Sequence, residues 1–234
     1  MTTIEGNLQQ VHERLARACR AADRDVSEVA LLAVSKTFGA DTVCLALDAG
    51  QHAFGENYVQ EGVEKIVELR RVRPGAALQW HCIGPLQSNK SRPVAEHFDW
   101  VQSVDRLKIA QRLSEQRPAH LPALQVCLQV NVDGGANKSG VAPEGLADLA
   151  RAMALLPRLQ LRGLMCIPEP APDFKSQRDL FLRAKGLFDQ LNAQGMGLDT
   201  LSMGMSDDLE AAVAAGSTMV RVGRAVFGSR PTRS

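Results

Sequence analysis

Short apolar runs alternate with amphipathic stretches along almost the whole chain. The runs fall at 29–34 (VALLAV), 52–54 (HAF), 78–83 (LQWHCI), 98–102 (FDWVQ), 124–130 (LQVCLQV), 159–165 (LQLRGLM), 199–202 (DTLS) and 218–222 (TMVRV). Each has strand length and reads as a strand buried in a parallel sheet. Between them lie helix-like segments. ENYVQEGVEKIVEL sets Val59, Val63, Ile66 and Val67 on one helical face, and SQRDLFLRAKGLFDQL does the same with Leu180, Phe181, Ala184, Leu187, Phe188 and Leu191. Ahead of the first run, Ile4, Leu8, Val11, Leu15 and Ala18 mark one further amphipathic helix.

A unit of about 25–30 residues is what a strand, a crossover helix and two turns require. Eight such units predict a single-domain (β/α)8 TIM barrel over residues 29–228. The extra helix, within residues 1–25, then closes the barrel's bottom or flanks it. An open doubly wound sheet is the alternative, although no GxGxxG opens any helix. No linker rich in Pro, Gly or Ser divides the chain, and IPEPAPDF (167–174) reads as one long loop at the top.

In a barrel of this kind the active site collects at the C-terminal strand ends. Taken in order, those ends carry Lys36, Gly55-Glu56-Asn57, His81 with Gly84, Gln102-Ser103, Asn131, Met165, Ser202 with Ser206, and Arg221 with Gly223. Polar groups are thus expected around one mouth, with no such collection at the bottom.

Composition narrows what that mouth serves. The 234 residues are 45% hydrophobic and 23% charged, with net charge +1 from 27 basic and 26 acidic side chains. Such a balance offers no field for steering onto nucleic acid or a membrane surface. No stretch reaches spanning length and MTTIEGNLQQ lacks a signal pattern, so a cytoplasmic protein is expected. The five cysteines and five histidines are scattered without metal-ligand spacing, so no metal site is expected. Cys82, Cys127 and Cys166 read as small buried hydrophobes.

Of the seven lysines, Lys65, Lys90, Lys108, Lys138, Lys175 and Lys185 fall on helix surfaces or in loops, and Lys36 alone ends a buried strand. There it is either a snorkelling rim charge or a partly desolvated amine that attacks a carbonyl. After the last strand, Gly223 lets a ligand approach the backbone. Loops in this position commonly hold phosphate through backbone N–H groups. Ser206 reads as the N-cap of the preceding helix, and its hydroxyl with the Gly223–Arg224 backbone is expected to contact phosphate. Arg221, inside an apolar strand, needs a partner: a ligand, or a barrel carboxylate in a structural ion pair. Lys90 and Lys138 lie at the mouth, as second anion sites or solvated loop charges. His81 reads as a satisfied core histidine and Tyr58 as packing. An amine on the first strand and a phosphate cradle after the last suggest a phosphorylated aldehyde or ketone.

The stretches AVSKT, FGENYVQE, WHCIGPLQSNK, GLMCIP, LSMGMSDDLEAAVAAGSTMVRVG and AVFG, in that order, resemble the successive signatures of the pyridoxal phosphate homeostasis protein family. Its members are single-domain barrels resembling the N-terminal domain of alanine racemase. The resemblance implies pyridoxal 5′-phosphate as cofactor and Lys36 as its Schiff-base lysine. It puts Ser206, Gly223 and Arg224 at the phosphate, Arg221 opposite the pyridine nitrogen and Asn57 near the ring. Members carry Thr or Ser where this chain has Arg224, which leaves the guanidinium or only the backbone N–H for that contact. An arginine at the pyridine nitrogen keeps it unprotonated and weakens the ring as an electron sink. With no second base opposite Lys36, a monomeric protein that stores, buffers or delivers the cofactor to apoenzymes is expected. An amino-acid racemase, or a cofactor-free lysine aldolase, is the alternative.

Overall fold

A computed structural model describes residues 3–134 and 139–229. Among these, eight parallel strands close into a barrel in chain order: β1 (Ala30–Val34), β2 (Ala53–Glu56), β3 (Gln79–Cys82), β4 (Trp100–Val104), β5 (Leu124–Gln129), β6 (Leu159–Met165), β7 (Thr200–Ser202) and β8 (Met219–Val222). The TIM barrel expected from the alternation is therefore the fold. Two strands sit further along the chain than the apolar runs suggested. β2 ends on Glu56 and β4 runs to Val104, because each takes in buried polar residues.

Helices cover the outside: α1 (Ile4–Ala21), α2 (Ala40–Asp48), α3 (Val59–Val72), α4 (Ser91–His97), α5 (Leu107–Gln116), α6 (Pro143–Ala154), α7 (Phe174–Ala193), α8 (Leu209–Ala214) and α9 (Arg224–Phe227). Strand residues alternate between two environments, as the pleat dictates. Leu31, Ala33, Phe54, Leu201, Val220 and Val222 join the helix-facing core. Leu32, Val34, Ile83 and Met219 pack with one another inside the barrel.

The extra helix α1 flanks the barrel. It packs on α8 and α9, burying Leu8, Val11 and Leu15. Its polar side chains also bond to both helices and to the loop before α8. Arg14 makes a two-pronged ion pair with Glu210 at 2.6 Å and donates to the Ser206 carbonyl at 2.7 Å, while the Asn7 amide donates to the Val226 carbonyl at 2.9 Å.

Three expectations need correction. In α3 the buried stripe is Gly62, Lys65, Ile66 and Leu69, and Val67 is exposed. Lys65, expected at the surface, is buried because Glu56 and Glu61 neutralise it there. The bottom of the barrel is also polar: an open depression of about 480 Å³ is lined by Gln79, Asp99, Arg117, Gln125 and Arg162. Much of that polarity is spent within the chain. Arg162 pairs with Asp199 at 2.7 Å and donates to Gln125, and Arg117 donates to the carbonyls of Ala95, Phe98 and Pro122.

Candidate functional site

Closure of the sheet makes the first and last strands neighbours. Leu32 lies beside Arg221 and Ala33 beside Val222, so Val34 and Gly223 come next in the same register. A Cβ on Gly223 would sit 3.2 Å from the Val34 carbonyl oxygen, tighter than side chains normally tolerate. The glycine is therefore what lets the two chains run this close. Leu32 and Val34 pack inside the barrel, and Lys36 comes two residues beyond Val34, in the turn that follows β1, and is half-buried. The amine-bearing turn and the glycine loop after β8 thus share one side of the mouth.

Asn57 is also half-buried and comes directly after β2. Gly84, past the end of β3, presses on its backbone so closely that any Cβ would collide with the Asn57 carbonyl. That contact fixes where Asn57 stands. Tyr58, expected to pack, is instead 57% exposed at the start of α3.

Ser206 is not an N-cap. Asp208 holds that position in front of α8, and its carboxylate accepts from the Met205 N–H at 2.6 Å. Ser206 lies two residues earlier, half-buried, with its carbonyl anchored by Arg14. Its hydroxyl is thus not engaged in capping. Arg224 is exposed, and α9 begins at its own N–H, where a helix leaves amides without helical partners. Lys90 is exposed on its loop, and Lys138 lies outside the described residues.

Arg221 is 4% exposed, inside the barrel. Its guanidinium donates to Ser202 Oγ at 2.8 Å and to the Cys166 carbonyl at 2.9 Å. Among the described residues no carboxylate forms an ion pair with it, so the structural-pair alternative does not hold. Both partners are neutral, and burial pulls the guanidinium below its ordinary value.

From Arg221 a hydrogen-bonded chain crosses the barrel interior, and its polarity is set by that one obligatory donor. Because Ser202 Oγ accepts from Arg221, its O–H donates to Gln102 Oε1 at 2.6 Å. The Gln102 amide then donates to His81 Nδ1 at 2.9 Å, which leaves His81 Nε2–H to donate to Gln79 Oε1 at 3.1 Å. His81 is therefore neutral, stacked on Trp100 at 5.0 Å, and satisfied as expected of a core histidine. Burial lowers its pKa to about 3. The unfolded chain takes up that proton near pH 6.5 and the folded one does not, so stability falls as pH drops through this window. The expected slope is about 1.4 kcal/mol per pH unit. Urea unfolding across this range checks it: His81→Asn should flatten the slope relative to the parent.

The cysteines Cys82, Cys127 and Cys166 are buried, and burial pushes each thiol up to about 12. They are inert packing groups.

The family model for the alanine racemase N-terminal domain matches residues 7–231. A pyridoxal phosphate homeostasis protein from Pseudomonas aeruginosa is 58% identical over 230 residues, covering 98% of this chain and 97% of its own length. The chain belongs to the pyridoxal phosphate homeostasis protein family. The Escherichia coli member is 52% identical, with 98% of both chains covered. Among solved structures, PipY of Synechococcus elongatus with pyridoxal phosphate bound superposes with a TM-score of 0.79 at 37% identity, over 92% of this chain and 100% of that one. Alanine racemase from Corynebacterium glutamicum superposes at 0.67 and 16% identity, over 94% of this chain and 61% of that one, which is likeness of fold alone.

Sequence reasoning missed the polar residues behind the site. Glu56, expected at the mouth, shares the outer face of β2 with Phe54 instead and is fully buried against α3. The signal was present in α3, where Lys65 falls in step with Gly62, Ile66 and Leu69.

Proposed function

We propose that this chain binds pyridoxal phosphate at the barrel mouth, holds it as a Schiff base on Lys36, and stores, buffers or delivers it to apoenzymes in the cytoplasm. The single observation that carries the reading is the β1–β8 pairing, which sets Val34, two residues before Lys36, against Gly223. The available groups suit the cofactor. The Lys36 amine would take the aldehyde, the Gly223–Arg224 backbone and the Ser206 hydroxyl would hold the phosphate, and Asn57 follows the neighbouring strand. The bound cofactor of PipY and the shared name of the close relatives support the same reading.

Bound there, the cofactor supplies an aldehyde whose condensation with an amine expels one water and is reversed by water or a competing amine. The residues of the chain limit the chemistry beyond that exchange. Arg221, cationic and short of anionic partners, disfavours a second positive charge against it, so a pyridine nitrogen placed there stays unprotonated. Carbanion stabilisation is weak on that ring. Tyr58, the one tyrosine of the chain, is exposed on α3. These features favour a holder over a racemase. Among the described residues no helix is long and apolar enough to cross a membrane.

Purified protein given pyridoxal phosphate is expected to gain a visible band that borohydride removes, with the reduced label on Lys36. A label on Lys90 or Lys138, or no band at all, would overturn the proposal. Incubation of the loaded protein with single amino-acid enantiomers separates holder from racemase: optical purity should persist.

A further inference from the structure

A second lysine, buried outside the barrel, holds the turn that carries the first. Residues 35–38 form a tight turn in which the Phe38 N–H donates to the Ser35 carbonyl at 3.1 Å. Lys36 is its first central residue and Thr37 its second, with φ +71°. That is the position glycine normally fills in such turns, and a β-branched residue there is strained. Strain of this kind persists only where the surroundings over-determine the conformation.

Here they do. The Thr37 N–H donates to Glu61 Oε1 at 2.5 Å, the Ser35 hydroxyl donates to Glu56 Oε1 at 2.6 Å, and the Ser35 carbonyl accepts from Lys65 Nζ at 2.9 Å. Lys65 joins the two carboxylates, 2.6 Å from Glu56 and 3.1 Å from Glu61. Its three donors are thereby used, one on the turn itself and two on the acids that grip the turn. Glu56 belongs to β2, and Glu61 and Lys65 to α3, so rigid elements on both sides fix the backbone before and after Lys36. A buried ion pair that only filled space would not spend its hydrogen bonds this way.

We propose that Glu56, Glu61 and Lys65 are positioning residues for Lys36, holding a strained turn in the shape that keeps the amine on the inner face of the barrel. The inference rests on the pyridoxal phosphate reading. None of the three touches the reacting atoms. When the amine nitrogen adds to an aldehyde carbon, the C=N bond forms and the carbonyl oxygen leaves as water; the clamp contributes geometry to that step.

Glu61 is the handle for a test, because its side chain is 25% exposed and its loss leaves the Lys65–Glu56 pair intact. In Glu61→Ala, capture of pyridoxal phosphate, followed as growth of the visible band, is expected to slow on the order of tenfold. Affinity for pyridoxine 5′-phosphate, which carries an alcohol in place of the aldehyde, should stay unchanged. Adding Thr37→Gly to Glu61→Ala should restore the capture rate, since glycine adopts the turn without the clamp. Hydrogen exchange at the Thr37 amide, slow in the parent, should become fast in Glu61→Ala. Capture at the parent rate, equal weakening of the alcohol analogue, or no recovery with Thr37→Gly would overturn the proposal. If the parent protein captures no aldehyde, the cofactor reading fails, and the Thr37 amide still decides the clamp: exchange unchanged by Glu61→Ala sinks it.

Discussion

Lys36→Ala is expected to abolish the visible band and the borohydride-fixed label completely, while leaving the fold intact. The side chain is half-buried at the end of the first strand rather than within a packed core, so its truncation costs little stability. Three other lysines are already engaged elsewhere. Lys65 is locked between two carboxylates, and Lys175 and Lys185 lie on α7 in ion pairs with Asp179 and Asp189. Residual binding through phosphate and ring should remain, weaker on the order of 100-fold, or about 3 kcal/mol. Equilibrium dialysis against absorbance separates the two effects. A variant that keeps both band and label would end the assignment of Lys36.

The second large effect concerns stability. Lys65→Met removes the cation from a site where Glu56 is fully buried, and Glu56 Oε2 already has no hydrogen-bond partner. Breaking one side of such a pair costs about 3–5 kcal/mol, since the remaining charge is left uncompensated. The pH dependence gives the loss a signature. Burial holds the Glu56 carboxyl above its ordinary value even with Lys65 beside it. A group raised in the folded state contributes stability at low pH and loses it as pH rises through the shifted value. Without Lys65 the shift grows, so the deficit of Lys65→Met relative to the parent should be largest near neutrality and shrink on acidification. Taking the difference between variant and parent removes the His81 contribution common to both. Glu56→Leu combined with Lys65→Met should recover part of the stability, because the buried carboxylate goes together with its cation and only the Ser35 hydroxyl and carbonyl lose a partner.

The barrel was legible in the sequence because its strands are covered on both faces and its helices on one, which writes two periods into a single chain. The strand limits were less so. A run judged by apolarity stops at the first polar residue, yet β2 and β4 continue through Glu56, Gln102 and Ser103, which find partners in the interior or against a helix. Lys36 and Gly223 were readable for a related reason: each breaks an apolar run just past the C-terminal end of a strand, where a barrel collects its ligand groups. Ser206 resembles a cap in sequence, but the helix starts only at Leu209, after Asp208, whose carboxylate turns back to the Met205 N–H. Lys65 escaped notice since lysine is ordinarily a surface residue. Recognising it required knowing that Glu56, nine positions earlier on another element, turns outward toward it.

The seam between β1 and β8 joins an early part of the chain to a late one. A ribosome releases the amine well before the glycine loop that would anchor an anion beside it. An emerging polypeptide therefore shows a lysine without a berth for its guest, and the berth comes into being only when the final strand docks. On the proposed binding mode, cofactor uptake would report that the last strand has docked on the first.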